Sequence, residues 1–300
     1  MSALFYRGNA RSDDRPEIEP LTPALVRDLR LPWLSRFNPS LLTHHLQQHP
    51  GHALWVPRTG EYVIWEPWRR RADIANVLEV TARRGREAIL EELVFATGRQ
   101  DYRLLLCADE VWRDHTKSWL GAGFSQVERI VFFRRDLRDN LTGVDQGTLP
   151  QLAIRRADLS YMDDLLTVDH DSFPWMWWNS VTEFETYLQM SNVHAYIAYV
   201  ENLPVGYASF TMYDGWAHLD RLAVASGMQG RRLGAAQLLH ALHRMRELGA
   251  ASVALSTQEN NTQSHRLYRS FGFKQQSDTM TFYGRQLGSD DGRWTIDDGR

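Results

Sequence analysis

Residues 224–239 read VASGMQGRRLGAAQLL. An apolar strand ends at the left of this stretch, an amphipathic helix begins at its right, and between them stand Gly230, Arg231, Arg232 and Gly234. A helix start carries backbone N–H groups without an intrahelical partner, together with the positive end of the helix dipole. Glycine lets an anion come close to that backbone, so the stretch reads as an anion site at a strand-to-helix turn.

Reading outward gives the elements around it. Ala235, Leu238, Leu239, Leu242 and Met245 mark one helical face, and Gly249 is its C-terminal cap. ASVALSTQ is then a strand, TQSHRLYRSFGF a short helix closing in a turn, and TMTFYGRQL a last strand. Upstream, QLAIRRADLS gives a strand and a helix start near Asp158, while HAYIAYV and VGYASFTMY are period-two strands around a turn at Glu201-Asn202-Leu203-Pro204. The pair Asp214-Gly215 turns the chain into the strand WAHLDRLAVA. The order predicts an α+β fold, a mixed central sheet with helices on its faces.

The first half repeats this order in worn form. HALWV echoes HAYIAYV, IANVLEVTA echoes HLDRLAVA, and HTKSWLGAGFSQVERIVFFRRDL echoes QSHRLYRSFGFKQQSDTMTFYGRQL, with Gly123-Phe124 against Gly272-Phe273. Two tandem copies of one domain are expected, over residues 1–145 and 151–288, joined around DNLTGVDQGTLP and followed by a loose acidic tail at 289–300. Each copy is expected to carry its own sheet, and a chain starting near Pro150 to keep the site if it folds. Laid over each other at the Gly-Phe match, the copies put Trp112 opposite Asn261 and Trp119 opposite Tyr268. The first copy thus lacks the amide and the phenol, its Glu87, Glu91 and Glu92 would repel phosphate, and its cleft is expected to be filled.

Composition narrows the function classes. The 300 residues suit about two domains, and 43% hydrophobic with 24% charged residues is ordinary for a globular chain. A net charge of −3 offers no general attraction to nucleic acid or to an anionic membrane. Of the 34 basic residues only Lys117 and Lys274 are lysine, a bias from which no function follows. Cys107 stands alone in the apolar run YRLLLCADE and forms no intrachain disulfide, no stretch has the length of a membrane span, and a cytoplasmic location is the expectation.

Two motifs then stand in order at the right separation: QGRRLG at 229–234, and Asn261, Ser264, Leu267, Tyr268, Gly272 and Phe273 in NTQSHRLYRSFGF. Over residues 152–287 the chain resembles the GNAT superfamily of acetyl-coenzyme A dependent N-acetyltransferases, whose motifs are Q/R-x-x-G-x-G/A and N-x-x-[AS]-x-x-L-Y-x-x-x-G-F. One departure is Arg232 at the first motif glycine. The resemblance implies that backbone N–H groups from Gln229, Gly230, Arg231, Arg232, Leu233, Gly234 and Ala235 hold the pyrophosphate of acetyl-CoA. It also implies that its pantetheine arm pairs with the strand ending Leu222-Ala223-Val224, that Asn261 and Ser264 belong to the same cofactor site, and that a backbone N–H near Val224 polarises the thioester carbonyl.

The implied reaction transfers acetyl to a primary amine by direct attack and needs two proton events. An alkyl ammonium of pKa ~10.4 must lose a proton, and a departing thiolate of pKa ~8.5 gains from an acid. Tyr268 sits where the family places that acid; the other reading is a core tyrosine packed on the phosphate helix. For the base, His218 and Asp220 lie two apart on one strand face, where some small-amine members carry two histidines. A solvated edge pair, or an ion pair of Asp220 with an arginine, is equally open. The family's alternative glutamate site reads Ser256 here. The stretch DHDSFPWMWWNS at 169–180 follows the first helix, where the family walls its acceptor pocket: Phe173, Trp175, Trp177 and Trp178 would make an aromatic site, and Asp169 or Asp171 would attract a cation. These tryptophans could instead pack the two halves together.

Other clusters are read as bland. His44, His45, His49 and His52 in HHLQQHPGH lack an accompanying cysteine or glutamate in the sequence, so no metal is expected. WRRRAD at 68–73 reads as a solvated hairpin run. The expected partner is a small-molecule or peptide amine, with no nucleic acid and no membrane. The alternative from another class is a non-catalytic acyl-CoA-binding sensor or assembly module.

Overall fold

The computed structural model describes residues 16–81, 85–110, 115–139 and 151–288, so the joining stretch from 140, the tail from 289 and Trp112 lie outside the described residues. The first half runs β1 (Glu19–Pro20), α1 (Pro39–Gln48), β2 (Ala53–Val56), β3 (Glu61–Pro67), β4 (Ile74–Val80), α2 (Arg86–Gly98), β5 (Leu104–Glu110), α3 (Thr116–Gly121) and β6 (Ser125–Asp136). The second runs β7 (Leu152–Arg156), α4 (Met162–Ser172), α5 (Val181–Leu188), β8 (Val193–Val200), β9 (Leu203–Tyr213), β10 (Trp216–Val224), α6 (Leu233–Glu247), β11 (Ser252–Gln258), α7 (Thr262–Ser270) and β12 (Lys274–Gln286). From β2 and from β8 the order of strands and helices is the same.

Turn chemistry shapes the second half as its residues require. Gly215, at φ 73°, completes the Asp214-Gly215 turn that sets Tyr213 opposite Trp216. Between β8 and β9 the turn is Glu201-Asn202 alone, both left-handed, and Leu203 and Pro204 already belong to β9. Two consecutive left-handed residues match the right-handed twist of the flanking strands.

All strands join one 12-stranded sheet in the order β1-β2-β3-β4-β5-β12-β6-β11-β10-β9-β8-β7. Each half's last strand has crossed into the other half: β6 pairs with β11 from Ile130↔Gln258 to Asp136↔Ser252, while β12 pairs with β5 from Met280↔Glu110 to Gln286↔Leu104. The cores are exchanged with the strands. Val131 and Phe133 of β6 lie fully buried among Leu238, Leu242, Leu255 and Phe271, and Tyr283 of β12 packs among Leu90, Trp119 and Phe124. A lone β11 would leave a row of unpaired backbone groups, and β6 satisfies it.

This exchange bears on the condition set for a chain that starts near Pro150, that it folds, because such a chain lacks β6. Burying a Val or Phe side chain contributes roughly 1.5–3 kcal/mol, against a total stability of about 5–15 kcal/mol for a domain. A fragment of residues 151–288 is expected to be aggregated or to melt without cooperativity, read by gel filtration and a circular dichroism melt. A sharply melting monomer would show β6 to be dispensable.

Candidate active site

The cleft begins where a parallel pair parts. β10 and β11 pair only from Trp216↔Ser252 to Leu219↔Leu255; beyond that β10 follows β9 to Val224↔Gly206 and β11 follows β6 to Gln258↔Ile130. A bulge in β10 lies between Leu219 and Arg221, and so at Asp220. Two cavities open in the splay and share Phe173, Leu222, Gln258, Asn261 and Ser264.

The larger, of about 790 Å³, runs from Leu222-Ala223-Val224 past Gln229, Gly230 and Arg232–Ala235 to Asn261, Ser264 and Leu267. Ala225 N donates to the Val205 carbonyl, so by antiparallel alternation Ala223 also faces β9, while the backbone groups of Leu222 and Val224 face the cleft. The Ala223 carbonyl is further occupied by Gln237 Nε2 at 3.2 Å. Gly206 makes that contact possible, because a Cβ there would lie 2.4 Å from the same nitrogen and 2.5 Å from the Ala223 oxygen.

At the turn itself Gly230 and Arg232 both adopt positive φ, 75° and 63°, and α6 starts with no side-chain cap on its N–H groups. Residues alternating in this way turn their N–H groups to one side, a concavity suited to phosphate. The left-handed backbone at Arg232 also explains why glycine is the motif residue there: an ordinary side chain pays roughly 1–2 kcal/mol for it. Arg231 is exposed and is not among the residues lining the cavity. At Gly234 a Cβ would meet Val224 and Leu267 only at 3.5 and 3.6 Å, ordinary contact, so alanine fits and only a charged side chain would disturb the site. Asn261 uses its Oδ1 to cap α7, accepting from Ser264 N at 3.1 Å, which leaves its amide nitrogen for the cleft.

The smaller cavity, of about 200 Å³, is lined by Leu219–Leu222, Ser256–Gln258, Asn261, Ser264 and Tyr268, with Ile130 and Phe132 arriving on the exchanged β6 and Met280 and Phe282 on β12. Tyr268 is 6% exposed and packs on Phe133 and Phe273 at ring distances of 6.0 and 5.8 Å. Burial pushes its hydroxyl up to about 12, partly countered by a hydrogen bond with Ser264. Tyr268 is therefore a core residue that also lines the cavity.

Asp220 also lines this cavity; His218 does not. The His218 Nδ1 lies 2.7 Å from Asp220 Oδ1, and Asp220 Oδ2 accepts from the Tyr187 hydroxyl at 2.5 Å and from Thr211 Oγ1 at 2.7 Å. No arginine pairs with Asp220 among the described residues. Burial and then the neighbouring Asp220 charge push the Tyr187 hydroxyl well above its usual range, so it remains a donor. Thr211 was legible, since the Asp214-Gly215 turn sets it opposite His218 in register. Tyr187, on α5, had no local signal.

The aromatic stretch divides. Phe173 and Trp177 line the small cavity, Trp177 packing against Trp68 and Phe282 at ring distances of 5.7 and 5.4 Å. Trp175 lies beneath the Arg71 and Arg103 guanidiniums, and Trp178 stacks on His170 at 4.5 Å, both outside the cavity lining. Both acidic residues are hydrogen bonded within the chain. Asp171 accepts from Ser226 N and Oγ at 2.6 and 2.9 Å, and the fully buried Asp169 accepts from the Tyr207 hydroxyl at 2.5 Å and Asn179 N at 2.8 Å.

Two expectations from the first half are corrected. Its cleft is not filled: a cavity of about 470 Å³ remains between Val77–Val80, Cys107–Asp109 and Trp119. Its strand edge is covered instead, because Glu79 on β4 accepts from Tyr62 OH, Ser35 Oγ and Arg36 N and so clasps the loop before α1. The histidine run does have an accompanying glutamate, since the fold carries Glu66 of β3 to within 4.8 Å of ligand atoms on His45 and His49.

A sheet parting beside a strand-turn-helix junction, with Asp220 and Tyr268 lining one cavity, is the frame of an acyltransferase. Residues 162–273 match the family model described as "Acetyltransferase (GNAT) family". The whole chain has the tandem layout. It is similar to a tandem GNAT protein from the clavulanic acid biosynthesis pathway, at 16% identity and a TM-score of 0.60 over 92% of this chain and 99% of that one. It is also similar to a GCN5-related N-acetyltransferase from Kribbella flavida (15% identity, TM-score 0.62, 90% of this chain and 71% of that one) and to one from Sphaerobacter thermophilus (16%, 0.56, 92% and 97%). At such identities the likeness is one of fold. No curated protein matches the chain in sequence. Among the described residues no helix is long and apolar enough to cross a membrane.

Proposed function

We propose that residues 151–288 transfer an acetyl group from acetyl-CoA to a primary amine by direct attack, and that residues 1–145 form a second, non-catalytic copy. The observation that carries this reading is that Asp220 and Tyr268 line one small cavity continuous with the anion turn. The turn from Gln229 to Ala235 and the cleft-facing backbone of Leu222 and Val224 fit the pyrophosphate and pantetheine of that donor, which when bound supplies the thioester. Asp220 stabilises the incoming ammonium and accepts its proton. His218, hydrogen bonded behind it and about a third exposed, passes the proton to solvent. Tyr268, kept neutral by burial, protonates the departing sulfur. The test is a panel of amines read by free thiol release that depends on the amine; cofactor binding without turnover would favour a sensor.

One donor binds per chain on this reading, because Glu79 draws Ser35 and Arg36 across the corresponding strand of the first half. Calorimetric titration with acetyl-CoA should saturate at one equivalent. Gly234→Glu should abolish binding and Gly234→Ala should retain it. Two equivalents, or an unchanged affinity in the glutamate variant, would remove the phosphate assignment.

A further inference from the structure

The loop from Trp68 to Arg71 belongs to the first half but is spent on the second. Trp68 Nε1 donates to the Met176 carbonyl at 2.7 Å, Arg71 donates to the Trp175 carbonyl, and Ser180 Oγ donates to the Arg69 carbonyl at 2.8 Å. Arg69 and Arg70 hold left-handed conformations, φ 51° and 53°, that ordinary side chains rarely adopt and that collect at functional positions. The result is that Arg69 enters the wall of the small cavity, its guanidinium 5.2 Å from the Trp68 ring and 5.6 Å from that of Trp177.

The charges around Arg69 do not balance. Its Nη1 donates to Asn179 Oδ1 at 2.6 Å, and Arg221 Nη2 donates to the same oxygen at 2.9 Å, so two cations share one neutral acceptor. Arg69 Nε is buried with no hydrogen-bond partner. Among the described residues two carboxylates act on Arg69 from a distance: Glu183, which lies 3.7 Å from Arg70, and the buried Asp169, which stands 3.9 Å from Arg221 and is already committed to Tyr207 and Asn179. Burial and then the Arg221 charge pull Arg69 down to about 9, which still leaves it a cation at neutral pH. A buried guanidinium with no carboxylate in direct contact is costly, and one whose Nε is unpartnered can match a carboxylate with two parallel hydrogen bonds.

We infer that Arg69, backed by Arg221, is a subsite for a carboxylate on the acceptor, so that the substrate class is a small amine that also carries a carboxylate. This rests on the amine acetyl transfer proposed above and adds the second recognition element. Asp220 takes the ammonium end in the same cavity, and the volume of about 200 Å³ confines the reacting part to a short chain. A first half without its own chemistry thereby acts as a specificity device.

The test compares glycine, β-alanine and γ-aminobutyrate with their carboxamides and with plain alkylamines, acetyl-CoA being the donor. The best carboxylate should exceed its amide by at least about tenfold in kcat/KM, the scale of a charge-assisted hydrogen bond. Arg69→Gln should bring that ratio near one, chiefly through KM, and Arg69→Lys should restore part of it. Binding is measured separately, by calorimetry with N-acetyl-β-alanine and its amide in the presence of coenzyme A: the acid should bind and the amide should not, and acetyl-CoA affinity in the Gln variant reports that it is folded. A wild-type ratio near one, a ratio unmoved in the Gln variant, or failure of the acid to bind would overturn the subsite. So would a preference for succinyl-CoA over acetyl-CoA with plain amines, which would assign the anion to the donor's acyl chain. If the acid binds through Arg69 but no amine is acetylated, the subsite stands and the transfer reading falls.

Discussion

Tyr268→Phe is expected to lower kcat by roughly 10²- to 10⁴-fold, the span of general acid catalysis, with acetyl-CoA affinity nearly intact. Phenylalanine keeps the ring that packs on Phe133 and Phe273 and removes only the hydroxyl, which is hydrogen bonded to Ser264. The pH dependence carries the sign. Burial disfavours the phenolate and raises the group to about 12, so the donating form persists throughout the neutral and mildly alkaline range. Wild-type kcat should therefore show no loss assignable to Tyr268 until the pH approaches that value, and the variant should be slow at every pH. Single-turnover thiol release over a pH series reads both. Equal turnover would leave Tyr268 with packing alone.

Asp220→Asn is expected to cost a similar factor of about 10²- to 10⁴-fold in kcat/KM. The carboxylate accepts from Tyr187 and Thr211 on one oxygen and faces His218 with the other, and an amide can offer only one of those oxygens. With its nitrogen toward Tyr187 and Thr211 the amide leaves both donors without an acceptor, at about 1–3 kcal/mol for each, and with its nitrogen toward His218 it forces the imidazole into the tautomer that accepts at Nδ1. A lower thermal midpoint should accompany the rate loss, while acetyl-CoA titration is unchanged because the phosphate turn and the strand end are untouched. His218→Gln should slow turnover less, as it leaves Asp220 on the cavity. An Asp220→Asn enzyme within about threefold of wild type would exclude this pair from proton transfer and return it to a structural role.

What was legible in the sequence follows from how local each signal is. The anion turn is written within a few residues, because left-handed backbone at Gly230 and Arg232 and a helix starting at Leu233 are decided between chain neighbours. The same holds for the Asp214-Gly215 hairpin and the repeated element order, so the α+β fold could be read in advance. The residues around the acceptor could not. The histidine run reads as solitary until β3 brings Glu66 beside α1, and WRRR reads as a solvated hairpin until it is seen lodged against Trp175–Ser180.

The exchange of β6 and β12 is the tertiary decision from which the acceptor wall follows. Nothing in IVFFRRD or TMTFYGRQ favours one sheet edge over another, since period-two apolar strands pair wherever an edge and a matching face are offered. Once β10 and β11 have parted, β11 needs a partner on its other side, and β6 of the first half supplies it together with Ile130 and Phe132 for the cavity. The sequence by itself determined each half's elements and the strand-to-helix turn at Gly230–Gly234, because those rest on backbone preferences a few residues long. Which side chains meet across the junction, Arg69 with Arg221 and Tyr187 with Asp220, was left to tertiary packing, because only the burial of two apolar faces against each other sets those distances.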